Sequence, residues 1–195
     1  MLKRRAARTA GFTLIELMVT IVLLGILLAL GFPSMMTWVQ NAKVRTVSDS
    51  LQNGLRLAQT EALRRSRQTV FSLTNSTSPA TSLTAVANGS NWSINTVQLL
   101  TDETAQFVES GVLSSVGSDV QITGPASVCF NSLGRLIANP GTGLPSGASC
   151  TAAAATYIVS SSRSDRPLRV LVSLGGQVRM CDPARSLSTS ADGCP

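Results

Sequence analysis

The sequence predicts an α+β fold in which one long N-terminal α-helix packs on an antiparallel β-sheet. Three observations carry that expectation. Residues Leu17 to Ala42 contain no charged side chain, a run long enough to cross a hydrocarbon core of about 30 Å as a helix. Immediately beyond, Val44, Val47, Leu51, Leu55, Ala58 and Ala62 recur at steps of three and four, so they share one helical face. After Ser66 the helical period stops, and short alternating stretches of β-branched and aromatic residues follow one another between turn signals. A helix followed only by strands is the pattern of a helix laid on an antiparallel sheet.

The helix is expected from about Phe12 to about Ser66, roughly 80 Å at 1.5 Å per residue. Its first half would lie in a membrane or an apolar assembly, its second half under the sheet. Lys43, Arg45, Gln52, Arg56 and Arg64 fall largely off the apolar face. Gly54 inside the helix weakens it by about 1 kcal/mol relative to alanine. Arg64, Arg65 and Arg67 complement the negative end of the helix.

Eight segments read as strands: 68–74, 91–100, 105–109, 119–123, 127–130, 156–161, 167–174 and 176–180. Asn88-Gly89, Gly124-Pro125, Gly134 and Gly175-Gly176 supply turns between them. The segment "NPGTGLPSGASCTAAAA" (139–155) is low in complexity and reads as a long loop tied at Cys150. Trp92 is expected in the core, and with eight aromatic residues in all, base stacking is poorly supported.

The chain has 195 residues, room for one modest domain and an appendage. Its net charge of +6 misleads. Lys3, Arg4, Arg5 and Arg8 precede Gly11 with no acid among them; without these four, 12 basic residues face 10 acidic ones. A basic start before an apolar span is an orientation signal, which keeps the N-terminus cytoplasmic and exports the rest. Cys129, Cys150, Cys181 and Cys194 form an even set with no close pair, in keeping with an oxidising compartment. Four cysteines allow three connectivities; we expect sequential neighbours, Cys129–Cys150 and Cys181–Cys194, each loop stabilised by roughly 3 kcal/mol. Zinc is the competing reading, and the lack of histidine and the wide spacings count against it.

Enzyme chemistry finds little support. With no histidine, Ser-His-Asp and Cys-His arrangements cannot form within this chain. No G-x-S-x-G and no phosphate-binding Walker loop occurs, and "GTG" at 141–143 is an isolated turn signal. We expect no catalytic activity, no cofactor and no bound metal.

The stretch "TAGFTLIELMVTIVLLGILLAL" (9–30) poses the sharper problem, because Glu16 heads an otherwise apolar segment. A charge at the bilayer centre costs roughly 2.5–3.5 kcal/mol on insertion scales. A cleaved secretory signal would be shorter and would lack the acid. A plain anchor leaves Glu16 and the preceding Gly-Phe unexplained, and a buried core helix would not be apolar all round.

"GFTLIE" resembles the processing site of type IV pilins and type II secretion pseudopilins. The resemblance implies that a prepilin peptidase cuts between Gly11 and Phe12 and methylates the new N-terminus. Glu16 would then neutralise the Phe12 amine of a neighbouring subunit and set its register, since a charge costly alone becomes tolerable when paired. Pro33 falls where that family has a proline at a helix bend. "EALRRSRQTVFSLT", Trp92, "CFNSLGRL" and "RVLVSLGGQVRMCDP" look like the GspH/FimT branch of minor pilins and pseudopilins. The implied fold is type IV pilin-like, with a leader over 1–11, a hydrophobic helix over 12–36 and a periplasmic globular domain over 37–195. The implied location is the bacterial inner membrane, single-pass, with subsequent incorporation into a filament. The implied partners are other pilins or pseudopilins and the prepilin peptidase.

Within this branch some FimT-like proteins bind DNA for natural transformation, with a G-R-x-R motif near the end. Here the stretch is Gly176-Gln177-Val178-Arg179, so Gln177 replaces the first arginine. From Gln68 to Gly134 there is no Lys or Arg, whereas Arg163, Arg166, Arg169, Arg179 and Arg185 crowd the end of the chain. We expect Arg163, Arg166, Gly176, Gln177, Arg179 and Arg185 to be the candidate contacts for double-stranded DNA, read without sequence preference. Arg169, alternating with Val170 and Val172, suits an exposed edge position. The alternative is a structural subunit, a GspH-like secretion pseudopilin or a pilus initiator, whose arginines form only a solvated face.

Overall fold

The computed structural model describes residues 11–100 and 102–195, apart from the side chains at 33 and 34. The leader cations Lys3, Arg4, Arg5 and Arg8 lie outside the described residues. One helix, α1 (Leu14–Arg65), opens the described chain, and Pro33 lies within it. Nine strands follow: β1 (Thr69–Thr74), β2 (Asn91–Thr96), β3 (Phe107–Gly111), β4 (Val120–Thr123), β5 (Ser127–Phe130), β6 (Ala155–Ser161), β7 (Leu168–Val172), β8 (Val178–Ser186) and β9 (Gly193–Cys194).

The expected sheet is divided in two. One has the order β3-β2-β1-β5 and the other β4-β6-β7-β8-β9, and all pairings are antiparallel except β8 with β9. Both sheets pack on α1. The six apolar helix residues from Val44 to Ala62 are all at most 1% exposed, so the periodic stripe is the inner face. They meet Phe71, Ile94, Tyr157, Val159 and Val170 from the two sheets in one core. The Thr69 hydroxyl donates to the Ala58 carbonyl and fixes the entry of β1 beside the helix end.

Gly54 is a notch rather than a weakness. A Cβ there would lie 3.0 Å from the Trp92 ring and 3.1 Å from Phe71. Trp92, 6% exposed, stacks on Phe71 with ring centroids 5.7 Å apart. The modest helical cost of glycine is thus the condition for placing the largest side chain of β2 in the core.

All six residues of β1 are buried, whereas a two-layer packing would expose every second one. The low-complexity loop provides the second cover. Val70, Val97, Cys129 and Cys150 form a second apolar cluster, with Leu144 packed against it. Cys129 is joined to Cys150, with Cα atoms 5.7 Å apart, and Asn139 and Cys150 exchange backbone hydrogen bonds. Asn139 also accepts from the N–H groups of Gly141 and Thr142, a local turn that closes the loop.

Several boundaries differ from the sequence expectation; β3, expected over 105–109, runs over Phe107–Gly111, and β7, expected over 167–174, over Leu168–Val172. The strand beginning at Asn91 ends at Thr96, because Val97 and Gln98 donate instead to Gln68 and Gly143. The last strand runs to Ser186 and is joined by the short β9, with Cys181 bonded to Cys194. Arg169 is exposed, but β7 lies between β6 and β8; it projects from the outer face of an interior strand, not from an edge.

The helix end is held by two ion-pair sets. Arg64 and Arg65 both bond Glu61, at 2.7 Å each. Arg67 bonds Glu103 and donates to the Val97 carbonyl, while Glu103 accepts from the Leu99 N–H. These contacts hold Glu61 and Glu103 well below the usual carboxylate value of 4.5, each at about 2. Depressed carboxyl pKa values stabilise the folded state above their unfolded value, and that contribution is lost as pH falls towards the folded value. The thermal midpoint should therefore fall as the pH is lowered from about 5 to about 2. Arg67→Gln should flatten that slope in a pH-resolved melting series; an unchanged slope would remove Glu103 from the account.

Candidate functional site

Thr13 begins the site. Its side chain accepts from the Glu16 N–H at 3.3 Å and caps α1, leaving the Glu16 carboxylate in the first turn, where the helix dipole favours an anion. The "TLIE" spacing is that of a capping box, a signal our sequence reading passed over. Phe12 lies just before the helix and is 81% exposed.

From this cap the helix runs bare. Every large apolar side chain described from Leu14 to Phe32 is at least 52% exposed, and Trp38 is 69% exposed. Gln40 is the first buried residue of α1 among the described side chains. The helix is long and apolar enough to cross a membrane, and its most apolar stretch is not buried against any of the described residues. Glu16 and Trp38 are 22 residues apart, about 33 Å along a straight helix. An acid therefore marks one end of a membrane-thick apolar rod and an indole the other.

The C-terminal candidates divide between the two ends of the domain. Gly176 is buried at φ +87°, and a Cβ there would lie 1.8 Å from the Gly134 carbonyl and 2.5 Å from Gln59. Only glycine fits this turn, so Gly176 belongs to the architecture. Gln177 is exposed beside it. Arg163 and Arg166 instead occupy the loop between β6 and β7. That loop is tied to Asn41, which donates to Asp165 at 2.7 Å and accepts from the Ser164 hydroxyl at 2.6 Å. Gln59 and Asn41 are 18 residues apart, about 27 Å along the helix. The motif turn and the loop arginines are not brought together.

Arg179 and Arg185 already have partners. Arg179 Nη2 donates to the carbonyls of Ala191 and Gly193, 2.9 Å each, and clasps the C-terminal loop to β8. Arg185 pairs with Asp192 at 2.8 Å and with Asp182 at 3.8 Å. Arg185 and the Ser190 hydroxyl hold the Asp192 carboxyl below its usual value, the hydroxyl contributing more. Among the described residues, the side chains of Arg163, Arg166 and Arg169 make no hydrogen bond or ion pair. No group of metal-ligating side chains occurs among the described residues.

Comparison with known proteins bears on both ends of the chain. The prokaryotic N-terminal methylation motif matches residues 7–32, and the family described as type II transport protein GspH matches residues 47–176. No curated protein matches. Among solved structures, the type IV minor pilin FimU of Pseudomonas aeruginosa is 14% identical over 76% of this chain and 95% of that one, with a TM-score of 0.50. A second crystal form of FimU gives 15% identity, coverage of 72% and 94%, and a TM-score of 0.48. The minor pseudopilin EpsH from the type 2 secretion system of Vibrio cholerae gives 13%, 73% and 99%, and 0.48. At 14% identity the likeness to FimU at a TM-score of 0.50 is one of fold alone.

The Arg179 clasp can be tested directly. Arg179→Ala should destabilise the domain by about 1 kcal/mol, from two lost hydrogen bonds. It should also speed amide exchange in residues 187–194. Unchanged exchange there would mean the clasp does not hold the loop in solution.

Proposed function

The chain belongs to the GspH family of type II transport proteins, the minor pilins and pseudopilins, and from that premise we propose that it is a filament subunit assembled through its bare apolar helix. Residues 1–11 are a leader that a prepilin peptidase removes, 12–36 span the inner membrane before assembly, and 37–195 fold in the periplasm. The observation that carries this reading is a helix whose first half has no buried side chain among the described residues while its second half is sealed into a packed domain. Side chains so placed need lipid or other copies of the same rod to cover them.

Cleavage after Gly11 would create a cation at Phe12, next to the positive end of the α1 dipole. A carboxylate must offset it, and Glu16 of a neighbouring subunit is the group proposed to do so. The pairing makes the acid acceptable inside a dry helical bundle and penalises every register in which no amine faces it.

A second reading adds duplex DNA as a partner. What favours it is that Arg163, Arg166 and Arg169 are exposed and free of ion pairs; Arg179 and Arg185 fit it less well, since binding would have to displace their present partners.

Three outcomes test these statements. Gly11→Val should abolish cleavage, and a normally matured variant would count against the processing site. Glu16→Ala should insert into membrane normally but enter filaments more than about tenfold less, since breaking a buried ion pair costs ~3–5 kcal/mol; equal recovery in sheared filaments would remove the pairing. For DNA, the mature chain in neutral nanodiscs should retard duplex DNA with a steep salt dependence, and Arg163→Ala with Arg166→Ala should lower the log–log slope by about 0.9 per contact. No retardation at low salt would leave the structural subunit alone.

A further inference from the structure

The end of the domain nearest the bare helix carries two exposed arginines that no carboxylate among the described residues engages. Around α1 residues 38–49 most charged groups are matched. Lys43 pairs with Asp119 at 3.2 Å, Arg45 approaches Asp49 at 3.9 Å, and Arg185 bridges Asp192 and Asp182. Asp165 accepts from Asn41. The cations left without a partner here among the described residues are Arg163 and Arg166 in the loop and Arg169 on the outer face of β7; Asp165, the exposed acid between the two loop arginines, pairs with neither and offsets one charge.

Their height is set by the helix. The loop 162–167 is pinned to Asn41 by two short hydrogen bonds, and Asn41 is three residues past Trp38, about 4.5 Å along the axis. An open groove of about 530 Å³ joins the two features; Trp38, Asn41, Arg45 and Arg166 line it, together with Asp182 and Asp192, whose carboxylates Arg185 engages. Tryptophan at the end of an apolar span settles at the headgroup level of a bilayer. A guanidinium about one helical turn further out lies where lipid phosphates are, and its planar fork suits them.

We propose that Arg163 and Arg166 bind the phosphates of anionic lipids in the outer leaflet of the membrane that α1 spans, so that the unassembled subunit stands with this end of its domain on the bilayer. This rests on the membrane-spanning reading of α1. It commits the two arginines to lipid rather than to nucleic acid. Before assembly a duplex could reach them only by lying against an anionic bilayer, which repels it. Extraction into a filament would then break two charge-assisted contacts, and the headgroup composition would tune how readily the subunit leaves the membrane.

The test uses the full chain reconstituted with its domain outward, in phosphatidylcholine vesicles and in vesicles containing phosphatidylglycerol. Two readings are taken: quenching of tryptophan fluorescence by acyl-brominated lipid, and amide exchange of residues 162–167. Trp92 is buried in the core, so quenching reports Trp38. Trp38 should be quenched in both lipids, and exchange in the loop should slow with phosphatidylglycerol by up to about thirtyfold, from ~1 kcal/mol per arginine near an anionic surface. Arg163→Gln with Arg166→Gln should abolish the slowing and keep the quenching. Quenched Trp38 with no lipid-dependent slowing, or slowing that survives in the double variant, would overturn the proposal and leave the membrane span standing. Unquenched Trp38 would overturn the span and the proposal together. Slowing by duplex DNA on neutral vesicles, with none from phosphatidylglycerol, would overturn it in favour of nucleic acid.

Discussion

Among the described side chains none is buried from Leu14 to Val39, and from Gln40 to Ala62 one stripe of the helix is sealed between two sheets. That single continuous element must satisfy two environments, and the rest of the molecule follows from how it does so. The first half needs apolar residues all round, since no solvent-facing side exists inside lipid or a filament core. The second half needs only a stripe, and its polar positions supply the contacts that lock the domain. Arg56 donates to the Val178 carbonyl and Gln59 to the Gly134 carbonyl, with Thr69 reaching Ala58 from β1. The domain is therefore built around the helix rather than hung from it.

Electrostatics enter at both ends of the bare segment. At its head, the Thr13 cap and Glu16 complement the helix terminus. At its foot, most charges of the domain are engaged, and Arg163, Arg166 and Arg169 are left without a partner among the described residues. Net charge says little about either end. The positive total of the chain is concentrated in the leader and in arginines that are largely occupied by carbonyls or carboxylates.

Much of this was legible in the sequence, and the exceptions have physical causes. The helical stripe from Val44 to Ala62 was readable because burial enforces its period. The strands were readable because turn residues punctuate them. The division into two sheets was not, since the alternation of β4 and the apolar run of β5 reflect how each is covered and not which strand each pairs with. Full burial of β1 depends on a distant loop of small polar residues, which has no hydrophobic signature of its own. Gly54 looked like a flaw because propensity counts only the helix, whereas Trp92 arrives from another element. Among the candidate contacts, Gly176 was singled out by the motif but is required by a turn. Arg179 is named by the motif and Arg163 only by its place near the end of the chain, yet Arg163 is the one left free while Arg179 is clasped, a difference set by contacts distant in sequence. The GspH likeness was visible from residues spread along the chain, because its landmarks are local.

The fit of Trp92 against Gly54 also has a mechanical meaning. Moving α1 along its axis by one turn would bring Ser50 or Ala58 to the place of Gly54, and neither leaves the room that the indole occupies. The ring thus works as a shear key between rod and shell. Tension applied to the apolar end would be transmitted into the strands as a load on the whole body, instead of drawing the rod out of its sleeve.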